Sequence, residues 1–232
     1  MPEFQDQVFR LKTNRGDWVC EDVSLRNCTF DNCRLSLTND PAHMARVARV
    51  SAVDCYSLNS TIGPAYLEDI VVDGMKTGDI FIVWGAFLRH VTLRGKIGSL
   101  KINTSIHDPR ATPEIQAEFD RLRREFYSNI DWALDISGMK PLMFDMKGIP
   151  AAKVILDPKT QIAVSRSRLH DLQQLESLPN LESVLKFTLQ MFINGAEPDI
   201  VLAAPTGKAP KQYKPILDSF EMLREAGLVG ID

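Results

Sequence analysis

One segment of this chain occurs twice, and the repeat limits the folds open to it. Tyr66-Leu67-Glu68-Asp69-Ile70-Val71-Val72-Asp73-Gly74 recurs in altered form as Phe87-Leu88-Arg89-His90-Val91-Thr92-Leu93-Arg94-Gly95. Both copies run aromatic, Leu, charged, polar, apolar, β-branched, apolar, charged, Gly. A fixed period of about 20 residues is what a coil gaining one turn per repeat requires, because each turn can bury its apolar face only against the next.

Two weaker copies precede this pair. Cys20-Glu21-Asp22-Val23-Ser24-Leu25-Arg26-Asn27 and Val47-Ala48-Arg49-Val50-Ser51-Ala52-Val53-Asp54 share the apolar spacing. Aligning the four places Cys20, Val47, Leu67 and Leu88 in one column, so the first interval is the longest and the next two are nearly equal. Val23, Val50, Ile70 and Val91 form the next column, and Leu25, Ala52, Val72 and Leu93 a third. Asn27, Asp54, Gly74 and Gly95 close each rung with residue types that tolerate a positive φ, as a corner demands. The alignment rests on apolar residues, yet the charged columns alternate in sign. Asp22, Arg49, Asp69 and His90 line up, Glu68 falls beside Arg89, and Asp73 beside Arg94. Aligned residues of stacked parallel strands lie about 4.8 Å apart, where opposite charges are favourable.

A second strand is expected after each corner. Gly78–Ile82 matches Gly98–Ile102 position by position, which sets Ile80 opposite Leu100 and Ile82 opposite Ile102. Near the start, Cys28-Thr29-Phe30-Asp31-Asn32-Cys33-Arg34-Leu35 repeats every five residues, which places Leu25, Phe30 and Leu35 in one column and Val23, Cys28 and Cys33 in another. On these residues the chain resembles pentapeptide-repeat proteins and, more broadly, right-handed parallel β-helices. The resemblance extends over about residues 18–103 and is clearest at 22–37. It implies a short, irregular, right-handed parallel β-helix (solenoid).

Thr112-Pro113-Glu114 starts a helix, with Thr as N-cap and Pro in the first turn. Ile115, Phe119, Leu122, Phe126 and Ile130 then recur at helical spacing, so an amphipathic helix is expected at about 113–131. The rung pattern resumes beyond it. Leu134-Asp135-Ile136 matches Leu100-Lys101-Ile102, and Phe144-Asp145-Met146-Lys147-Gly148 matches Val91-Thr92-Leu93-Arg94-Gly95. In this alignment the outer positions of Arg89 and His90 become Leu142 and Met143, whose apolar character calls for a cover. From 153 to 164 the pattern is that of a hairpin. A helix over Leu181–Ile193, a strand at 199–204 and a closing helix at about 212–226 complete a small α/β module. Its order has a faint similarity to the periplasmic module of biopolymer-transport proteins. The expected class is therefore α+β. Residues 1–150 form a solenoid with an inserted helix, and residues 151–232 a small α/β module docked on it.

Few chemistries fit. The chain has 232 residues and a net charge of −3, with 9 basic and 10 acidic groups in residues 150–232 and 18 and 20 elsewhere, so neither part carries the one-signed field of a nucleic-acid binder. That balance also argues against a gyrase-protecting inhibitor, which the pentapeptide resemblance brings up. Cys20, Cys28, Cys33 and Cys55 form no C-x-x-C pair and have no histidine cluster, so reduced thiols are expected and neither a metal nor a cofactor. No apolar run reaches the roughly 18 residues of a membrane span. The first residues lack the basic-then-apolar order of a signal peptide. The expected location is cytoplasmic, without a membrane partner. Thr206-Gly207-Lys208 lies where a phosphate loop would, but Leu202 and Ala209 break the pattern. Asp69 and Asp73 share a rung edge, as catalytic acids do in some β-helical carbohydrate enzymes, but Arg49, Arg89 and Arg94 are near enough to neutralise acids there.

The expected function is a non-enzymatic protein-interaction or scaffold module, acting on an unidentified protein partner or on a second copy. The run Gln7–Leu11 would form either a cap or a dimer surface. Trp84 is a candidate contact anchor. The alternative is a small-ligand binder or enzyme with its site between solenoid and module, where His107, Asp108, Lys208 and Tyr213 are the candidate residues.

Overall fold

The computed structural model describes residues 2–231. It is a mixed α+β structure built on a mostly parallel sheet of 12 strands, with a second sheet of two. The strands of the large sheet are β1 (Glu3–Gln5), β2 (Val8–Arg10), β3 (Val19–Arg26), β4 (Thr29–Asp31), β5 (Arg34–Leu35), β6 (Ala45–Leu58), β7 (Thr61–Ile62), β8 (Ala65–Trp84) and β9 (Phe87–Asn103), followed after an insertion by β10 (Leu134–Asp135), β11 (Met139–Met146) and β12 (Val154–Ile155). Helix α1 (Pro113–Ser128) fills the insertion. The remainder holds β13 (Gln161–Ser165), α2 (Leu172–Glu176), α3 (Ser183–Asn194), β14 (Asp199–Ala203) and α4 (Pro210–Glu225).

The apolar columns pair as the repeat demands. Cys20 opposes Val47, which opposes Leu67, which opposes Leu88, and the columns of Val23 and Leu25 continue in the same way across β3, β6, β8 and β9. The corners at Asn27, Asp54, Gly74 and Gly95 have φ of 52°, 54°, 74° and 69°. At Gly74 an added Cβ would lie 2.8 Å from Asp54 Oδ1, so both conformation and space favour glycine. The charged column is a second line of corners. Asp22, Arg49, Asp69 and His90 have φ between 53° and 57°. A residue held there drops out of the ladder, which frees its side chain to meet its equivalent on the next rung.

Four expectations need correction. The stack begins one rung earlier than the repeat indicates. β1 and β2 pair in parallel with β3 and β4, Phe4 opposite Leu25 and Phe9 opposite Phe30, so Gln7–Leu11 belongs to a rung of its own. The second strands are displaced by one position from the expected match. Phe81, not Ile80, opposes Leu100, and Ile80 opposes Ser99, because the chain bulges between Met75 and Ile80. A one-residue slip exchanges the two faces of a strand, and Ile80 is accordingly exposed. After α1 the matches are exchanged. Leu134 opposes Val91, and Phe144 opposes Leu100. The insertion precedes the first strand of that rung, so counting from Val91 to Phe144 spans it and a further strand as well. Leu142 and Met143 therefore align with the Gly98–Ser99 stretch, not with Arg89 and His90. Lastly, Val154 and Ile155 form no hairpin with 161–164. They stack in parallel on Leu134 and Asp135, while β13 runs antiparallel to β14. Asp157 makes the turn between β12 and β13, accepting from Lys159 N–H and Thr160 Oγ1–H.

The main core is built from side chains of the large sheet and includes Ile70, Leu88, Val91, Leu93, Ile97, Leu100, Ile102, Leu134 and Ile136. Ala163 of β13 and Val201 of β14 join it. A second core gathers Ile162, Val164, Leu189, Phe192, Phe220 and Leu223. Helix α1 starts as expected, with Thr112 Oγ1 accepting from Ile115 N–H. It presses Phe119 and Phe126, together with Ile115, against Phe87, and Tyr127 Oη accepts from Leu88 N–H at 3.2 Å. Complete burial pushes the Tyr127 phenol up to about 12. The helix ends where Asn129 Nδ2 returns to Glu125 O. No helix among the described residues is long and apolar enough to cross a membrane.

Candidate functional site

Most carboxylates in and beside the charged column are paired with cations. Arg49 Nε donates to Asp22 at 2.7 Å and its Nη2 reaches Glu21 at 2.9 Å. Glu68, 7 % exposed, is bridged by Arg46 at 2.8 Å and Arg89 at 3.1 Å. Arg94 holds Asp73 at 2.9 Å. Each partner comes from an adjacent rung, so the acids that could have passed for a catalytic pair hold rungs in register. Among the described residues no group of three or more His, Cys, Asp and Glu side chains is arranged to hold a metal ion.

His90 links three segments. Its Nδ1 lies 2.9 Å from Asp69 Oδ1, its Nε2 lies 2.7 Å from Asp131 Oδ1, and the Trp132 ring lies 4.8 Å from its own. The two carboxylates raise its affinity for a proton, Asp131 most, and Asp131 is correspondingly more acidic than usual. Because the folded value is raised, the stabilisation is fully present below the unfolded value of about 6.5 and is lost as pH climbs through the folded one. His43, held by Asp17, shifts in the same direction, so the His90 share is isolated with a variant. Between pH 6 and 9 the denaturation midpoint of the parent should fall more than that of His90→Gln. Parallel curves would show that the bridge contributes nothing.

The four candidate residues fall into two places. His107 stacks on Trp84 with centroids 4.7 Å apart and rings 14° from parallel, so the Trp84 ring meets the chain's own imidazole. Asp108 accepts from Arg110 Nε at 3.0 Å and Nη2 at 2.8 Å, which holds its carboxyl below the ordinary range. Lys208 is exposed in the turn after β14, and Tyr213 is half-buried in the first turns of α4. That turn touches the stack through Gly207, whose N–H donates to Pro141 O at 2.9 Å. No hydrogen bond or ion pair among the described residues joins His107 or Asp108 to Lys208 or Tyr213. A cavity of about 330 Å³ at the first rungs is lined by Leu11, Thr13, Arg15, Asn32, Arg34 and Leu37. Another, of about 290 Å³, lies between the end of the stack and the C-terminal elements, where Val154, Leu156, Ile162, Arg224 and Val229 face it. Neither is lined by any of the four.

A different feature stands out on α3. Leu185, Leu189 and Phe192 sit at helical spacing and enter the second core. The opposite side carries Val184, Phe187 and Met191, exposed to 65 %, 62 % and 58 %. A helix apolar on both sides is normally covered on both. Glu182 fixes its start by accepting from Val184 and Leu185 N–H at 2.8 and 3.0 Å. Leu172 of α2, which packs on α3, adds a further exposed apolar side chain. A signal for this face is present in the sequence. Positions 184, 187 and 191 form a second apolar row at helical spacing beside 185, 189 and 192, but helical spacing alone does not say which side has a cover.

Compared with known proteins, the chain matches no family model, no curated protein and no solved structure.

Proposed function

We propose that this chain is a protein-interaction module. In this reading the parallel rungs are a short, irregular, right-handed β-solenoid akin to the pentapeptide-repeat class, α1 is an insertion, and residues 151–232 form a unit that docks on the last rungs and presents α3. The observation that carries it is the open Val184–Phe187–Met191 side of α3. Its spacing of three and four residues fits the apolar stripe of a partner's amphipathic helix, and aromatic and Met side chains are enriched in such contacts. The five-residue recurrence of left-handed corners at Asp22, Asn27 and Asn32, and again at Arg49, Asp54 and Asn59, supports the solenoid class.

A photo-crosslinking side chain at position 187 in living cells should give a discrete adduct. The adduct should vanish with Val184→Glu and Met191→Glu and be missing when the probe sits at exposed Glu221. Adducts equal at both positions would sink the reading. Phe187→Glu should also change folding stability by less than about 0.5 kcal/mol, as substitutions outside a core do. A loss of several kcal/mol in chemical denaturation would mean that Phe187 belongs to the core after all. A small-ligand binder is the second reading, and the 290 Å³ seam cavity beside Val154 and Ile162 favours it.

A further inference from the structure

We propose that two copies of this chain pair end to end through the first rung, about a two-fold axis at the Asp6–Gln7 corner, with β1 of one copy antiparallel to β2 of the other. The proposal does not depend on the α3 face. It starts from the edge of the sheet where, among the described residues, β1 is the outermost strand and pairs on one side, with β3.

In a parallel ladder, residues that bond the neighbouring strand alternate with residues that face away. Pro2 O accepts from Ser24 N–H and Asp6 N–H donates to Arg26 O, while Gln7 O accepts from Thr29 N–H and Leu11 N–H donates to Asp31 O, all at 2.8–3.0 Å. Pro2, Phe4 and Asp6 therefore turn toward β3, and Gln7, Phe9 and Leu11 toward β4. The N–H and C=O groups of Glu3, Gln5, Val8 and Arg10 are left on the open side, where Gln5 O accepts from the exposed side chain of Gln7 at 3.1 Å. Exposed apolar side chains crowd the same end. Val8 and Leu11 are 60 % and 72 % exposed, and Phe4, Trp18 and Val19 are open as well. An edge both unpaired and apolar is a template for strand addition.

The occupant is a second copy because the edge complements itself. A two-fold at the corner sets Glu3 opposite the partner's Arg10 and Gln5 opposite the partner's Val8. These are the four outward-facing residues, so each opposed pair can exchange both backbone hydrogen bonds, as alternate pairs of an antiparallel ladder do, with the partner's Val8 N–H replacing the Gln7 side chain on Gln5 O. Phe4 then meets the partner's Phe9 on the inner side, where Phe4 and Phe9 already lie edge to face at 6.0 Å and Phe9 stacks on Phe30 at 5.2 Å. The charges agree. Arg10 binds Asp31 at 2.7 Å through Nε, and its side chain remains 68 % exposed to receive the partner's Glu3. The two-fold repeats every contact, closing the assembly as a dimer.

Sedimentation equilibrium on the full chain tests this. The parent should be a dimer. Glu3→Arg and Arg10→Glu should each weaken pairing about tenfold or more, which corresponds to about 1.4 kcal/mol. The Glu3→Arg/Arg10→Glu double variant should recover the dimer. Gln5→Pro should give a monomer with parental circular dichroism, since Pro is tolerated on an edge strand but cannot donate. A parent that stays monomeric at several hundred micromolar overturns the proposal. So does a double variant that fails to recover, or a dimer broken by Phe187→Glu yet indifferent to Glu3→Arg and Gln5→Pro. The last result would leave the α3 reading standing.

Discussion

Val91→Asp is expected to leave no soluble folded protein, and Ile70→Asp to do the same. Val91 is 5 % exposed, stacked between Ile70 on one rung and Leu134 on the next. The cations on the same strand, Arg89 and Arg94, are held by Glu68 and Asp73. A buried carboxylate without a partner costs several kcal/mol, or must take up a proton at comparable cost. Total stabilities of about 5–15 kcal/mol leave little margin for that, and a variant losing this column also loses the surface on which α1 closes. Thr92→Lys provides the control. Thr92 points to the other side of the same strand and pairs with Asp135, so it should express normally. Soluble yield and circular dichroism decide the matter, and a stable Val91→Asp protein would mean that inner and outer columns are reversed.

Phe220→Ala should lower stability by about 3–5 kcal/mol, the usual range for truncating a fully buried aromatic side chain. Phe220 is 0 % exposed in the second core. The informative measurement compares two signals. The three tryptophans, Trp18, Trp84 and Trp132, all lie before residue 150, so their fluorescence reports the stack, whereas far-ultraviolet dichroism reports the whole chain. Both transitions should shift together, because Ala163 and Val201 of the C-terminal elements belong to the stack's own core, and Gln161 Nε2 donates to Ile136 O at 2.7 Å and Gly207 N–H to Pro141 O at 2.9 Å across the seam. A fluorescence transition that stayed in place would show residues 151–232 unfolding as a separate unit.

What the sequence carried plainly was the vertical order of the central rungs. Apolar columns and left-handed corners are both written in single residue types, and the alternating charges supplied a check that the ion pairs Asp22–Arg49, Glu68–Arg89, Asp69–His90 and Asp73–Arg94 then met. Two of the errors share a cause. Where the chain departs from its period, residue counting fails, as at the bulge after Met75 and in the segment around α1. The first rung is hidden in the sequence because Gln7 and Lys12 stand where later rungs place Cys28 and Cys33. Among the candidate site residues, His107 with Asp108 and Lys208 with Tyr213 are neighbours in sequence only within each pair, and nothing in a linear pattern reports which distant turns meet. The bare side of α3 was readable, but its exposure depends on how α2, α4 and β13 share the opposite side.

The placement of α1 bears on how the chain can change its length. Pairing partners on the central strands are a single turn apart in sequence, as Ile70 is from Val91; the gap is somewhat wider between β3 and β6 and widest across the insertion, with Val91 meeting Leu134. The entropic cost of closing a loop rises only with the logarithm of its length, so roughly doubling that gap costs about 0.6 kcal/mol. The register is restored on the far side, Ile102 against Met146, as though nothing had been added. Growth at a corner is therefore nearly free, whereas a single residue added inside a strand would exchange its two faces. Such a chain can lengthen its loops freely while its ladder stays fixed, and its contacts remain local enough to assemble one rung after another from either end.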